Sequence, residues 1–343
     1  MKSTSRACLL ALATVLSLVF TLPALAQEEK KFTWRFASMA PEGVAWAKRI
    51  REHVLPAVED VTEGNLQVKV FWGGVLGEDA DYIEKMEKGI LEGAGLSGRG
   101  VILAVRETAV LQLPFLFRSY DEVDYVKDIM RPTFDRIAKS NGFYVVGWLD
   151  QDFDYVYSTK WDKEFRDLSR LTFVSWFGPL EQAVLDSMGV DVVLSEVDEA
   201  APALRHGRAD SGIAPAAYIL GAQLYSVVRY VIPMNIRYSP SWTMVRADVW
   251  ADFPEKYRRR VHEIRDGVEK KVARAVRQDN VDALQSMLDY GVKKVELGSD
   301  TLRDVQMRTR TVWYDMAGDM YPRELLDEIL AHLAEYRSNK GAE

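Results

Sequence analysis

Hydrophobic and polar positions change their rhythm several times along this chain, and each change predicts an element. After Lys2 and Arg6 the sequence is apolar from Ala7 to Phe20, breaks at Pro23 and reaches the small-residue triplet Ala24-Leu25-Ala26. That is the pattern of a cleavable secretory signal over residues 1–26. The apolar run is about 14 residues, short of the roughly 20 that cross a bilayer, and no later run reaches that length. Phe32 to Ser38 alternates as a strand does. Pro41-Glu-Gly43 then breaks the chain before an amphipathic stretch from Val44 to Val61. Leu66 to Phe71 alternates again, Gly73-Gly74 turns, and Asp79 is placed to cap a helix running to about Lys88. Further strands are predicted at Gly93 to Ser97, Tyr144 to Trp148, Tyr155 to Ser158, Leu171 to Trp176 and Ser211 to Ala214. Helices are predicted near Tyr120 to Asn141 and Glu181 to Met188. This βαβα order predicts an α/β sheet of mostly parallel strands, with a ligand crevice at their carboxyl ends.

From about Pro254 to Asp289 apolar residues recur at helical spacing among many charges, and no proline interrupts the stretch after its start. About 35 residues at 1.5 Å each give a helix on the order of 50 Å long, longer than one small domain. Two shorter helices broken near Gly267 or Asn280 are the alternative.

Composition narrows the function. The net charge of -7 becomes -9 once Lys2 and Arg6 leave with the signal, which argues against a nucleic-acid partner. With 48% hydrophobic residues the chain has apolar mass for a large core and is long enough for two domains. No Gly/Ser-rich or Pro-rich linker divides it, so two domains must interleave. The one cysteine, Cys8, lies inside the signal, leaving the mature chain with no thiol nucleophile, disulfide or thiolate metal site. The expectation is a soluble, exported protein, not embedded in a membrane, that binds a small molecule and carries no cofactor or metal.

Catalysis finds little support. Gly95-Leu-Ser97-Gly98-Arg99 nearly matches a nucleophile elbow, but Arg99 takes the final glycine position. His53, His206, His262 and His332 are scattered over predicted helices without metal-ligand spacing.

Several stretches together carry a family resemblance: Ala37-Ser-Met39-Ala-Pro41 with Trp46, Val70-Phe-Trp72-Gly-Gly-Val-Leu-Gly77, Leu111-Gln-Leu-Pro-Phe-Leu-Phe-Arg118, Tyr238-Ser-Pro240 and Trp250 to Pro254. On these the chain resembles the periplasmic solute-binding proteins of tripartite ATP-independent periplasmic (TRAP) transporters, the dicarboxylate-binding type. The resemblance implies a two-lobed periplasmic binding protein fold, type II-like, closing on one ligand. Lobe I is expected over 27–150 with a return segment of about 242–270, and lobe II over 151–241. A spanning helix is expected over 254–290 and a C-terminal helical segment over 291–343. It also implies delivery of the ligand to a permease of one small and one large membrane subunit.

Departures from the family pattern bear on the ligand. The family's carboxylate-clamping arginine is expected at Val174, with Arg170 available only if the alignment slips. Two further anchors fall on the Asp152-Phe153-Asp154 segment and on Ala214. Loss of these anchors points to an atypical branch with a largely apolar or aromatic pocket, since a buried carboxylate without a cation is disfavoured. Trp72, Trp176 and Trp242 are candidate pocket walls, with Tyr218, Tyr238, Met39 and Ser97 beside them. Trp46 and Trp148 read as core.

Arg99 falls at the expected cleft, either binding an anion there or solvated in a loop; an organic acid held by Arg99 or Arg170 is the competing reading. Asp150, Asp152 and Asp154 alternate and would share one strand face. A solvated edge is the simpler reading, and a cleft suited to an amine, hydroxyls or a cation is the other. As a calcium loop the run fails, because Tyr155 and Trp161 replace the needed Gly and Glu.

Overall fold

The computed structural model describes residues 30–43, 45–161 and 168–340. The signal segment 1–26 lies outside the described residues. Strand β1 (Phe32–Ser38) is followed by a helical run in three parts, α1 (Ala45–Arg49), a π-helical turn (Ile50–Val54) and α2 (Leu55–Val61). Then come β2 (Leu66–Phe71), α3 (Asp79–Glu87), β3 (Gly93–Leu96) and the short α4 (Gly98–Ala104). A 3-10 segment (Arg106–Gln112) and the long α5 (Tyr120–Ser140) lead into β4 (Phe143–Ser158).

The next elements are β5 (Thr172–Ser175), α6 (Pro179–Met188), β6 (Asp191–Leu194), α7 (Val197–Arg205), β7 (Ser211–Ala214) and α8 (Ala216–Gly221). The chain returns through β8 (Tyr230–Arg246), α9 (Ala247–Asp252), α10 (Glu255–Tyr290) and β9 (Lys293–Lys294). It finishes with α11 (Ser299–Thr309), α12 (Val312–Asp315) and α13 (Arg323–Lys340).

One mixed sheet runs through the molecule in the order β2-β1-β3-β8-β4-β7-β5-β6, with β9 added beside β8. β2, β1 and β3 are parallel at one end, and β7, β5 and β6 are parallel at the other. Between them β4 and β8 pair antiparallel along their lengths. β8 ends against β3 through Trp242 to Val245, and β4 ends against β7 through Tyr155 to Ser158. Sixteen residues of β4 extend about 50 Å at 3.3 Å each. Both strands therefore cross from one half of the molecule to the other.

The sequence pattern predicts two strands where β4 is one, and does not predict β8. The reason is irregularity. The β4–β8 register shifts at Val145/Gly147, Asp150/Asp152 and Asp154/Val156, and at the last shift residues 233–236 stand opposite Tyr155 alone. Pro233 lies in that looped-out segment and Pro240 pairs with Asp150 at a bulge. Bulges are where a strand tolerates a residue that donates no ladder hydrogen bond.

The long helix is a single one, Glu255–Tyr290, ending at Gly291 in the left-handed conformation. It is unbroken at Gly267 and at Asn280. Its apolar stripe meets β4, where Leu149 packs with Val272 and Val276. Its polar side is bolted to both halves. Arg49 binds Asp279, Arg131 binds Glu269, and Asn280 accepts from the Ala217 amide and donates to the Gln151 carbonyl.

Candidate functional site

The candidate cleft is where the sheet order brings the carboxyl ends of β1, β3 and β5 toward each other across β4 and β8. On the first side, Ser97 caps α4 by accepting from the Gly100 amide, and its hydroxyl donates to Asp79. The cap of α3 is Glu78 rather than Asp79, which is 2% exposed. Burial raises the Asp79 carboxyl above its ordinary range, opposed by the Ser97 hydrogen bonds. Gln112 donates to the Gly98 carbonyl and Gln151 accepts from the Gly98 amide.

From the second side Phe177 presses on the same glycine. A Cβ on Gly98 would stand 2.9 Å from the Phe177 ring and 2.7 Å from Gln112 Oε1, so a side chain where the halves meet has to displace both. At the mouth Arg99 bonds Glu78 at 3.0 Å on its own side and reaches Glu196 at 3.5 Å on the other. Arg99 is thus in the cleft, tied to two carboxylates.

Arg237, on β8, lies beneath Phe177, with its guanidinium carbon 3.7 Å from the ring centre. Its Nε donates to Asp154 Oδ2 at 2.7 Å, and Nη1 lies 3.1 Å from Glu181 Oε2. Ser239 also donates to Asp154. Glu181 accepts from the Ser175 hydroxyl and the amides of Trp176 and Phe177 at the end of β5. The guanidinium therefore sits beside the strand end that the family arginine is expected to serve, but it comes from β8.

One cation is shared by two buried carboxyl groups. Burial pushes both Asp154 and Glu181 up, and Arg237 only partly offsets it. For Arg237 burial acts against its charge, yet the two carboxylates hold it above its usual value. Nη2 of Arg237 makes no hydrogen bond among the described residues, while Asp154 Oδ1 and Gln112 Oε1 are buried acceptors without a donor. Sequence reasoning missed Arg237; a lone arginine between Ile236 and Tyr238 was the available signal.

The three aspartates are not on a solvated edge. Asp150, Asp152 and Asp154 are 0%, 3% and 0% exposed. The bulge between Asp150 and Asp152 breaks the alternation, and the partners differ accordingly. Asp150 turns to the helices, accepting from Lys127 at 3.0 Å, Arg277 at 2.9 Å and the Tyr238 hydroxyl at 2.6 Å. Burial would raise its carboxyl, but these cations and the hydroxyl bring it below the ordinary value. Asp152 keeps only the Phe153 amide at 2.6 Å, and burial holds it well above the ordinary value.

Aromatic candidates divide. Trp176 and Tyr218 are half-buried and stack at 5.8 Å on the second side. Burial pushes the Tyr218 hydroxyl up to about 12, with the Glu78 charge adding to it from across the cleft. Trp242, 0% exposed against Trp148 and Phe134, is core and not a wall. Tyr238 and Phe153 are also enclosed, edge to face at 6.0 Å. Val174 and Ala214 are sealed in the core of the second half.

Arg170 is exposed before β5, at the strand end opposite the cleft, and so cannot stand in for the clamp. Met39 is half-buried at the end of β1. Trp72 lines an open groove built from the first half alone, with Val68, Val70 and Val75. Trp148 is core, and Trp46 packs beside Leu149. The floor of the cleft is thus charged and hydrogen-bonded, against the expectation of a largely apolar pocket.

Among the described residues no group of three or more His, Cys, Asp or Glu side chains is placed to hold a metal, and no helix is long and apolar enough to cross a membrane. A family model described as bacterial extracellular solute-binding protein, family 7, matches residues 36–319. A solute-binding protein of Chromohalobacter salexigens is 26% identical over 280 residues, covering 80% of this chain and 82% of its own. The fold is similar to a TRAP periplasmic solute binding protein of the same organism with bound D-glucuronate, at TM-score 0.79 and 22% identity, covering 88% of this chain and 99% of that one. It is equally similar to one from Desulfovibrio salexigens with bound orotic acid, at TM-score 0.81 and 18% identity, covering 89% and 99%. Two halves joined by crossing strands and a spanning helix are the two-lobed architecture of these proteins, whose role is transport and not catalysis. The chain belongs to the bacterial extracellular solute-binding proteins of family 7.

Proposed function

We propose that this protein captures a small hydroxylated monocarboxylate between its lobes, in the periplasm, and hands it to the membrane subunits of a TRAP permease. The lobes are taken as 27–150 with 242–270, and 151–241, with cleavage of the signal after Ala26. The observation that carries the ligand class is Arg237. Asp154 and Glu181 fix its guanidinium plane and leave Nη2 open, which suits one carboxylate. A dianion would crowd four carboxyl groups around one cation, and like charges so placed repel.

The unpaired acceptors Asp154 Oδ1 and Gln112 Oε1 call for donors on the guest, as hydroxyls supply. Trp176 and Tyr218 offer a flat wall for a sugar or planar ring. The relatives holding D-glucuronate and orotic acid both bind monocarboxylates, the first of them hydroxylated and the second a planar ring. This keeps the organic-acid reading but moves its anchor from Arg99 or Arg170 to Arg237.

The test is a calorimetric titration of the mature protein with D-glucuronate, D-galactonate, orotate and succinate. At least one monocarboxylate is expected to bind at least tenfold tighter than succinate, and Arg237→Gln to weaken it by tenfold or more. Preference for succinate, or full affinity in Arg237→Gln, sinks the assignment.

A further inference from the structure

Away from the cleft, a second cavity of about 430 Å3 opens between the C-terminal helices and the segment running from Phe115 to Arg118. Phe115, Phe117, Met234, Leu302, Trp313 and Leu330 give it an apolar portion, beside the polar Asn235 and Gln306. Its volume lies in the range of small-molecule sites.

Two features separate it from a packing defect. The first is charge. Arg118, Arg310 and Arg337 all line it. Arg337 is neutralised by Glu122, bonding both carboxylate oxygens at 2.8 Å. The Arg118 and Arg310 guanidinium groups have no carboxylate within 4.0 Å among the described residues, although the Arg118 backbone amide bonds Glu122 at 2.7 Å. The Arg310 guanidinium carbon lies over the Trp313 ring, 4.9 Å from its centre, a cation–π contact that holds the charge beside an apolar wall.

The second is backbone strain. Four described residues other than glycine have positive φ, and two of them, Phe115 (φ 53) and Asn235 (φ 47), line this cavity. A bulky residue such as phenylalanine in that region costs on the order of 1–3 kcal/mol and persists only where the surroundings demand it. Here the Phe115 amide bonds the Ile236 carbonyl at 2.9 Å, which locks the two strained segments together as one wall. The looped-out residues 233–236 of β8 are that wall, so the irregularity in the crossing strand builds the cavity.

We infer that this cavity is a second ligand site, for an amphipathic anion: an aryl or short alkyl carboxylate whose tail fills the apolar portion and whose charge meets Arg118 and Arg310. It is independent of the cleft and of the ligand assigned there.

The test uses the mature protein with 4-phenylbutanoate and its uncharged amide, followed by saturation-transfer NMR titration. The acid is expected to bind at least tenfold tighter than the amide. Arg118→Gln with Arg310→Gln is expected to weaken it at least fivefold, and Leu302→Trp, which fills the apolar portion, to abolish it. Arg237→Gln in the cleft is expected to leave it unchanged. Binding lost in Arg237→Gln but kept in Leu302→Trp places the acid in the cleft and overturns the inference. Equal binding of acid and amide, or no binding of the acid, overturns it as well.

Discussion

At position 152 a carboxyl group lies 3% exposed on β4 with one hydrogen bond, from the Phe153 amide, and no ion pair among the described residues. Burial raises its proton affinity in the folded state well above the ordinary value. A carboxyl raised on folding stabilises the native state only below its unfolded pKa of about 3.9, and that stability is lost as pH rises through the folded value. Asp152→Asn keeps the acceptor for Phe153 and removes the titration. It is therefore expected to stabilise the protein at pH 7, read as a higher Tm. The gain in Tm should vanish near pH 4, and a gain that persists there contradicts this account. The sequence shows that three aspartates alternate here, but strand periodicity assumes an unbroken ladder, and the bulge at Asp150/Asp152 reassigns their partners. Val174 proves to be buried core, whereas Arg237 is not legible in the sequence, because its strand is disguised by two prolines.

Among elements, α10 shows most clearly what periodicity reveals and what it hides. Its apolar spacing alone predicts one helix of the observed length, because the buried residues Val261, Val272, Val276 and Met287 keep to one stripe. Asn280 reads in the sequence as a weak point; in the fold it is a joint. It is 3% exposed and holds the Gln151 carbonyl of the crossing strand and the Ala217 amide at the start of α8. A leucine there fits the apolar stripe but leaves both backbone groups without partners. Asn280→Leu is expected to cost about 1–3 kcal/mol, read as a lower urea midpoint with unchanged slope. An unchanged midpoint means that water replaces the amide and that the joint is dispensable. The 17-residue β8 is the counterexample, since its pairing with β3 and β4 is long-range and its local pattern is interrupted at each bulge.

For the whole molecule, what matters is how the halves meet, and this no local pattern encodes. The halves touch in this structure, with Phe177 near Gly98 and Arg99 reaching Glu196 at 3.5 Å. The ion pair is a minor contributor, because Glu196 is 72% exposed and such pairs contribute about 0–1 kcal/mol. The steric contact is the stronger control. Phe177 cannot swing aside freely, since the Arg237 guanidinium lies 3.7 Å behind its ring. A β-branched side chain at Gly98 that Phe177 does not yield to holds the lobes apart and keeps the ligand from being enclosed. Gly98→Val is expected to enlarge the radius of gyration measured by small-angle scattering in the presence of the best-binding acid, and to weaken that acid tenfold or more. Phe177→Ala in the same protein removes the obstruction and should restore compaction, although the lost contact with Arg237 keeps affinity below wild type. Recovery of compaction in the double variant separates blocked closure from simple damage to α4, because damage to α4 would remain whatever stands at 177.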